Sequence, residues 1–369
     1  MSTADIPTRA RIGVVGTGKI FPAYAEGLAW IGGLPIVRVA DVVVDVARRQ
    51  AETYGIPAYG TAEELYADPD VDVVVNITPP VVHAEVTRAA LAAGKHVYSE
   101  KPLAATVAAA RENLQQARDA GRLLGAAPDT FLGNSGQSAR AAIDDGLIGT
   151  PFAATSFVRS SRVETWHPNP AFFYAPGGGP LLDWGPYHLS ALVNLLGPVT
   201  EVVGATSIPT PRIPVTAPDR VVDAVDVTVP THTTSLLRTA SGALVTTVLS
   251  FDIWDTTLPH LEIYGTEGTL QLPDPNHHDL PVLIKQRGDE EWRELPPVLP
   301  ATRDEGLRPF RGHGVLDLVQ ALEGAPHRTT GQFALHVLEV LEAMEAATFE
   351  KGVQTISETC ERPAPVARG

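Results

Sequence analysis

The 369-residue chain has little cysteine, little lysine and little positive charge. Cys360 is its single cysteine, which excludes an intramolecular disulfide framework and a cysteine-rich metal site, and no metal ligand set is expected. A reducing, cytoplasmic setting fits that usage. Acidic residues outnumber basic ones 43 to 28, for a formal charge of −15. Without a basic surplus, neither nucleic acid nor an anionic membrane is an expected partner, so the ligand should be small. No apolar run approaches the roughly 18 residues of a membrane span, and residues 1–9 hold neither a leader-like apolar core nor a twin-arginine pair; neither insertion nor export is expected. What is present is a globular composition, 44% apolar and 19% charged, in a chain longer than one hydrophobic core usually supports. Two domains are expected. Internal repeats are absent, and the proline-punctuated run 207–214 reads as an irregular surface loop.

The first third alternates strand and helix. Residues 10–20 read as a short β-branched strand that breaks into Gly16-Thr17-Gly18, followed by Lys19 and Ile20. Glycines at 16 and 18 permit a sharp turn and let a diphosphate reach main-chain N–H groups at the start of the next helix. The third small residue of the G-x-G-x-x-G pattern is missing, with Phe21 in its place, so the turn alone does not decide between a cofactor loop and an ordinary strand-turn-helix. A helix over 22–29 and a strand over 35–40 follow, ending at Asp41, 23 residues after Gly18. That is close to where a carboxylate meets the adenosine ribose hydroxyls. Valines 42–44 are poor helix material and argue against Asp41 as a mere helix cap. A helix over 46–54 stopped by Gly55, a capping box at 61–64, a buried strand over 72–78 ending at Thr78-Pro79-Pro80, and a helix over 81–93 with His83 in its first turn come next. A strand over 96–99, a helix over 107–120 and a strand over 123–126 close the series. The alternation describes a doubly wound parallel sheet. Its carboxyl edge carries Gly16, Gly18, Asp41, Thr78, Pro79 and Glu100-Lys101-Pro102.

Lys101 stands out because arginine outnumbers lysine 23 to 5 here. An amine can give and take a proton once its surroundings lower its pKa, whereas a guanidinium stays charged. Out of context, Lys101 would be read as a surface residue paired with Glu100.

From residue 150 the period changes. Strand-like runs at 151–158, 227–238, 243–251, 260–264, 269–272, 282–287 and 292–295 imply a largely antiparallel open sheet. Two clear late helices, 313–323 and 332–351, leave a sheet face uncovered, which marks it as a subunit interface. The segment Trp166-His167-Pro168-Asn169-Pro170-Ala171-Phe172-Phe173-Tyr174 leads to Gly177-Gly178-Gly179 and on to Asp183-Trp184-Gly185-Pro186-Tyr187-His188. Leu189, Leu192, Val193 and Leu196 then mark a helix ended by Gly197-Pro198. Aromatic faces and the polar groups of Asp, Asn and His suit a polyhydroxylated ligand. By itself the segment also fits a cap-region Asp183 and a packed His188.

Taken in order, Gly16-x-Gly18-x-Ile20, Asp41, Thr78-Pro79-Pro80 with His83, and the stretch Ala93–Leu103 around Glu100-Lys101-Pro102 resemble the glucose-fructose oxidoreductase/inositol dehydrogenase (Gfo/Idh/MocA) family. The resemblance implies a Rossmann domain over 1–127 and an α+β substrate and oligomerisation domain over 128–369. It implies NAD as cofactor, with NADP the alternative, held by Gly16, Gly18, Lys19, Ile20, Asp41, Thr78, Pro79, His83, Glu100 and Lys101. It makes Lys101 the active-site lysine and Pro102 the shaper of its turn. The stretch from Gly177 to His188 resembles the family's G-G-G-x-L-x-D-x-G-x-H helix, whose Asp and His complete the active site, with one departure. Four residues after Asp183 stands Tyr187, and His188 comes at five. Helical spacing favours Tyr187 in the site and chemistry favours His188; the expectation is that Tyr187 lines it while His188 touches the substrate's far end or packs behind. Expected catalytic residues are therefore Lys101, Asp183, Tyr187 and His188, and expected substrate contacts are Lys101, Trp166, His167, Asn169, Phe172, Asp183 and His188. The implied activity is hydride transfer between NAD and a secondary hydroxyl of a sugar, inositol or related polyol, in a homodimer or homotetramer built through the second sheet. The competing expectations are an NAD-dependent glycosidase working by transient oxidation and a non-catalytic sugar or dinucleotide sensor.

Overall fold

The computed structural model describes residues 10–31, 33–158, 162–299 and 311–368; residues 1–9, read above as carrying no leader, lie outside these. Contacts divide the chain into two compact units. One gathers the described residues of Met1–Gly133, Leu299–Leu335 and Pro363–Gly369, the other Asn134–Val298 and His336–Arg362. The sequence reading runs the second domain unbroken from 128 to 369. In the structure a late helix returns to the first unit, because Val315, Leu316, Leu318 and Val319 complete its core.

The first unit begins β1 (Ile12–Val15), α1 (Phe21–Ile31), β2 (Ile36–Ala40), α2 (Val44–Tyr54), β3 (Ala58–Gly60), α3 (Ala62–Ala67), β4 (Val73–Asn76), α4 (His83–Ala92), β5 (His96–Ser99), α5 (Val107–Asp119) and β6 (Leu124–Ala126). The six strands order as β3-β2-β1-β4-β5-β6 and all pair in parallel. This is the dinucleotide-fold order, with the switch between β1 and β4. Local signals explain the breaks. Gly55 stops α2 in the left-handed region at φ 67°, and Thr61 and Glu64 form the expected capping box. Two helix starts differ from expectation by two residues. The chain makes a 3-10 turn at Pro80–Val82 before α4 starts at His83, since proline suits a first turn but supplies no N–H. Helix α2 starts at Val44 despite its valines, because the Asp41 carboxylate accepts the Val43 N–H just ahead of it.

The second unit opens with α6 (Asn134–Asp144), β7 (Pro151–Phe157), α7 (Gly179–Asp183), α8 (Gly185–Leu196) and β8 (Val199–Ser207). Next come β9 (Arg212–Pro214), β10 (Ala224–Asp226), β11 (His232–Thr239), β12 (Leu244–Ser250), β13 (Leu261–Gly265), β14 (Gly268–Leu272), β15 (Leu283–Gln286) and β16 (Arg293–Glu294). After α9 (His313–Leu322), which belongs to the first unit, come α10 (Gly331–Glu345), shorter than the expected 332–351, and β17 (Gln354–Thr355). Nine strands order as β16-β15-β14-β13-β7-β12-β11-β8-β17, with β12 and β7 the parallel pair in an otherwise antiparallel sheet. The expected loop at 207–214 instead supplies β9, paired with β10. Helix α6 escaped the apolar pattern because its buried face is polar. Ser135 donates through N–H and Oγ–H to the His278 and Leu280 carbonyls, and Arg140 Nε pairs with Asp144. One face of the sheet is buried and the other open, as β11 shows: Leu237 is fully buried while neighbouring Leu236 is 43% exposed.

Candidate functional site

At the carboxyl edge of the parallel sheet the glycine turn closes on its neighbours. Gly16 sits at φ 94°, and a Cβ there would lie 2.9 Å from the Ile77 carbonyl carbon and oxygen. The fold itself demands glycine. Gly18 is different: among the described residues a Cβ there would meet nothing within 4 Å, so its glycine borders an open space. That is the cradle a diphosphate needs. Beside it a cleft of ≈ 480 Å³ is lined by Gly16, Asp41, Thr61, Glu63, Thr78, Pro79 and Glu85 among others, with no lysine or arginine among the described residues of its wall.

Buried polar struts hold this edge. Thr17 donates its N–H and Oγ1–H to Asp41 Oδ2 at 2.8 and 2.9 Å, tying the glycine turn to the end of β2. Asp41 also accepts the Val43 N–H through Oδ1 ahead of α2, and it forms part of the cleft wall. Asn76, fully buried at the end of β4, donates to the His83 carbonyl and Thr87 Oγ1, and its Oδ1 accepts the Thr78 hydroxyl at 2.7 Å. Glu100 accepts the Tyr24 O–H at 2.8 Å and the Lys101 N–H at 2.9 Å. Burial and the Glu100 charge push the Tyr24 phenol well up, so it stays a donor.

Two of the expected cofactor residues brace the loops of this edge. The His83 ring is buried, with Nδ1 2.7 Å from the Pro102 carbonyl and Nε2 2.7 Å from the Thr78 carbonyl. It joins the two loops, with each ring nitrogen facing a main-chain carbonyl. Glu100 likewise braces the turn with both oxygens. Lys101 beside it is partly exposed, and its bond to Pro102 is cis. Lys19 is exposed and Ile20 half-buried at the start of α1.

In the second unit, Asp183 ends α7 and Trp184 (φ −102°, ψ −30°) links it to α8, so the one-turn relation to Tyr187 is nearly kept across a break between helices. Asp183 is partly exposed and Tyr187 is 8% exposed. His188 is turned to β7. It is 1% exposed, its Nδ1 lies 2.7 Å from Ser156 Oγ on β7, and burial holds the imidazole near a pKa of about 3. That placement leaves its Nε2 buried without a hydrogen-bond partner among the described residues. Gly178 packs against the aromatic segment, where a Cβ would lie 2.4 Å from the Phe172 carbonyl oxygen. On that segment Trp166 and Phe172 are 53% and 59% exposed, and the His167 ring lies 5.3–5.5 Å from both and from Phe173. Asn169 is exposed and donates its N–H to His167 Nδ1 at 3.1 Å. The sequence reading passed over Thr17, Asn76 and Tyr24. Asn76 had a signal, an amide at the end of a run of three valines; Tyr24 had none.

The model of the oxidoreductase family with an NAD-binding Rossmann fold, GFO_IDH_MocA, matches residues 10–127, and the GFO/IDH/MocA C-terminal domain model matches 137–271, together well over half the chain. The chain belongs to the Gfo/Idh/MocA oxidoreductase family. It is 27% identical over 308 residues to myo-inositol 2-dehydrogenase of Thermotoga maritima, covering 82% of this chain and 86% of that protein. It is 30% identical over 213 residues to D-glucoside 3-dehydrogenase of Escherichia coli, covering 56% of this chain and 60% of that one. Among solved structures, an NAD binding oxidoreductase from Klebsiella pneumoniae superposes with a TM-score of 0.81 at 27% identity, covering 95% of this chain and 99% of that one.

Proposed function

We propose that this chain is an NAD-dependent dehydrogenase acting on a secondary hydroxyl of a sugar, inositol or related polyol. The observation that carries it is the glycine turn: Gly18 holds open a cradle beside a cleft walled by Asp41, on the strand order that binds dinucleotides. The inositol and glucoside dehydrogenases it resembles supply the substrate class. NAD, when bound, supplies the hydride acceptor; the chain's own residues bind, orient and move the proton.

The turn amides from Gly16 to Lys19 hold the diphosphate, and Asp41, fixed by Thr17, receives ribose hydroxyls. Asp41, Glu63 and Glu85 on the same wall would repel a 2′-phosphate, so NAD is preferred over NADP. Lys101, set by Glu100 and by the His83 strut, takes the hydroxyl proton during oxidation and returns it during reduction. Asp183 and Tyr187 engage substrate hydroxyls, and Trp166, His167, Asn169 and Phe172 offer an aromatic and polar surface for a sugar's C–H face and hydroxyls. We further infer a cytoplasmic homo-oligomer joined through the open sheet face, on the exposure of Leu236 and Leu244; a single-chain mass by light scattering would overturn that part.

The test of the activity is incubation with NAD⁺ and a panel of inositols, sugars and glycosides while reduced nicotinamide is followed by absorbance. Net NADH with at least one polyol is expected. Cleaved glycoside without net NADH would instead mark a glycosidase.

A further inference from the structure

We propose that His188, His260 and Asp274 form a binding site for a borderline divalent cation, Zn²⁺ foremost, within the second unit. The three come from distant stretches: His188 from α8, His260 just ahead of β13, and Asp274 just beyond β14. One ligand atom from each lies within 4.8 Å of the others. Two imidazoles and a carboxylate are a donor set that Zn²⁺ takes readily, with metal–ligand distances of about 2.0–2.2 Å.

The geometry at His188 points to a cation rather than to ordinary packing. Its Nδ1 is engaged with Ser156 Oγ at 2.7 Å, while its Nε2 is buried without a hydrogen-bond partner. A ring that donates Nδ1–H to a hydroxyl presents its Nε2 lone pair, and a lone pair buried in that way is costly unless something accepts it. This is the arrangement of a metal-bound histidine, whose second nitrogen is oriented by an outer partner. The carboxylate is oriented too: Asp274 Oδ1 accepts the Asn276 N–H at 2.9 Å. The His260 ring lies 6.3 Å from that of His188, centre to centre, and its carbonyl is fixed by the Phe157 N–H. His188 is buried, whereas His260 and Asp274 are partly exposed, and water would complete the coordination as a fourth ligand. A bound ion would tie α8 to the ends of β13 and β14 and so stabilise the second unit.

The test uses the full chain, stripped with EDTA, dialysed, and titrated with ZnCl₂ by calorimetry and with CoCl₂ by visible absorption. One equivalent per chain is expected, with a rise in thermal midpoint and Co²⁺ bands of a low-coordinate N,O site. His260→Ala and Asp274→Asn, both at partly exposed positions, should each lose that equivalent while keeping the metal-free far-UV spectrum and melting midpoint. Ser156→Ala should bind about 10-fold more weakly, as expected for loss of an outer partner. No stoichiometric binding by the unaltered chain, or an equivalent retained in both ligand variants, overturns the proposal.

Discussion

The two compact units hold their site residues by different means. In the first, polar struts hold several of the expected residues at the sheet edge: Asp41 by Thr17, Thr78 by Asn76, the Lys101 turn by Glu100 and His83. In the second, Asp183 and Tyr187 ride on a pair of short-linked helices, and the aromatic segment stands half in solvent. A cofactor common to many substrates rewards a rigid cradle. Side chains on turns and helix ends can be changed with the fold left intact, which suits a surface that selects substrate.

The sharpest way to break this contrast is Lys101→Met. It should lower kcat by about 10²–10⁴-fold, the range for loss of a proton-transfer group, while calorimetry finds NAD affinity within a few-fold of the parent. Near-normal turnover would reduce Lys101 to a structural residue. The glycine pair comes next. Gly16→Ala meets both a positive φ and the Ile77 carbonyl, so it should cost about 1–3 kcal/mol in urea unfolding. Gly18→Ala should leave stability unchanged and weaken NAD binding alone; equal stability losses would deny the open cradle.

Within the second unit, Tyr187→Phe and His188→Ala should separate chemistry from packing. The tyrosine variant should lose kcat at constant stability, whereas removing the buried imidazole should cost about 2–3 kcal/mol of stability. A fall in kcat confined to the histidine variant would reverse the assignment. Smaller effects are expected from Asp41→Ser, which should weaken NAD several-fold and narrow its advantage over NADP, as read by the two dissociation constants. The smallest should come from Trp166→Ala and Phe172→Ala, a few-fold rise in KM with kcat held, since both rings are more than half exposed.

Legibility in the sequence followed the same contrast. The strand-turn-helix series, the capping box at Thr61 and the edge residues were readable because main-chain turns need particular residues at fixed spacing. The struts beneath them were not: Tyr24 reaches Glu100 across 76 positions, a pairing no local pattern encodes. Helix α6 was missed because buried serines and an arginine, satisfied by distant carbonyls and Asp144, blur the apolar period. Strand β8 was missed too, with Gly204 breaking its alternation. His188 was singled out for its chemistry, yet a helix fixes direction before chemistry acts, and α8 turns that ring to Ser156.

The central claim is that hydride leaves a substrate carbon for nicotinamide, with the chain supplying place and proton. The most direct measurement uses a polyol that reduces NAD⁺ in the panel, deuterated at its carbinol carbons, with the nicotinamide product examined by mass spectrometry and NMR. The account predicts one deuterium per turnover at nicotinamide C4 in net NADH. Substrate conversion with no deuterium on the nicotinamide would contradict it.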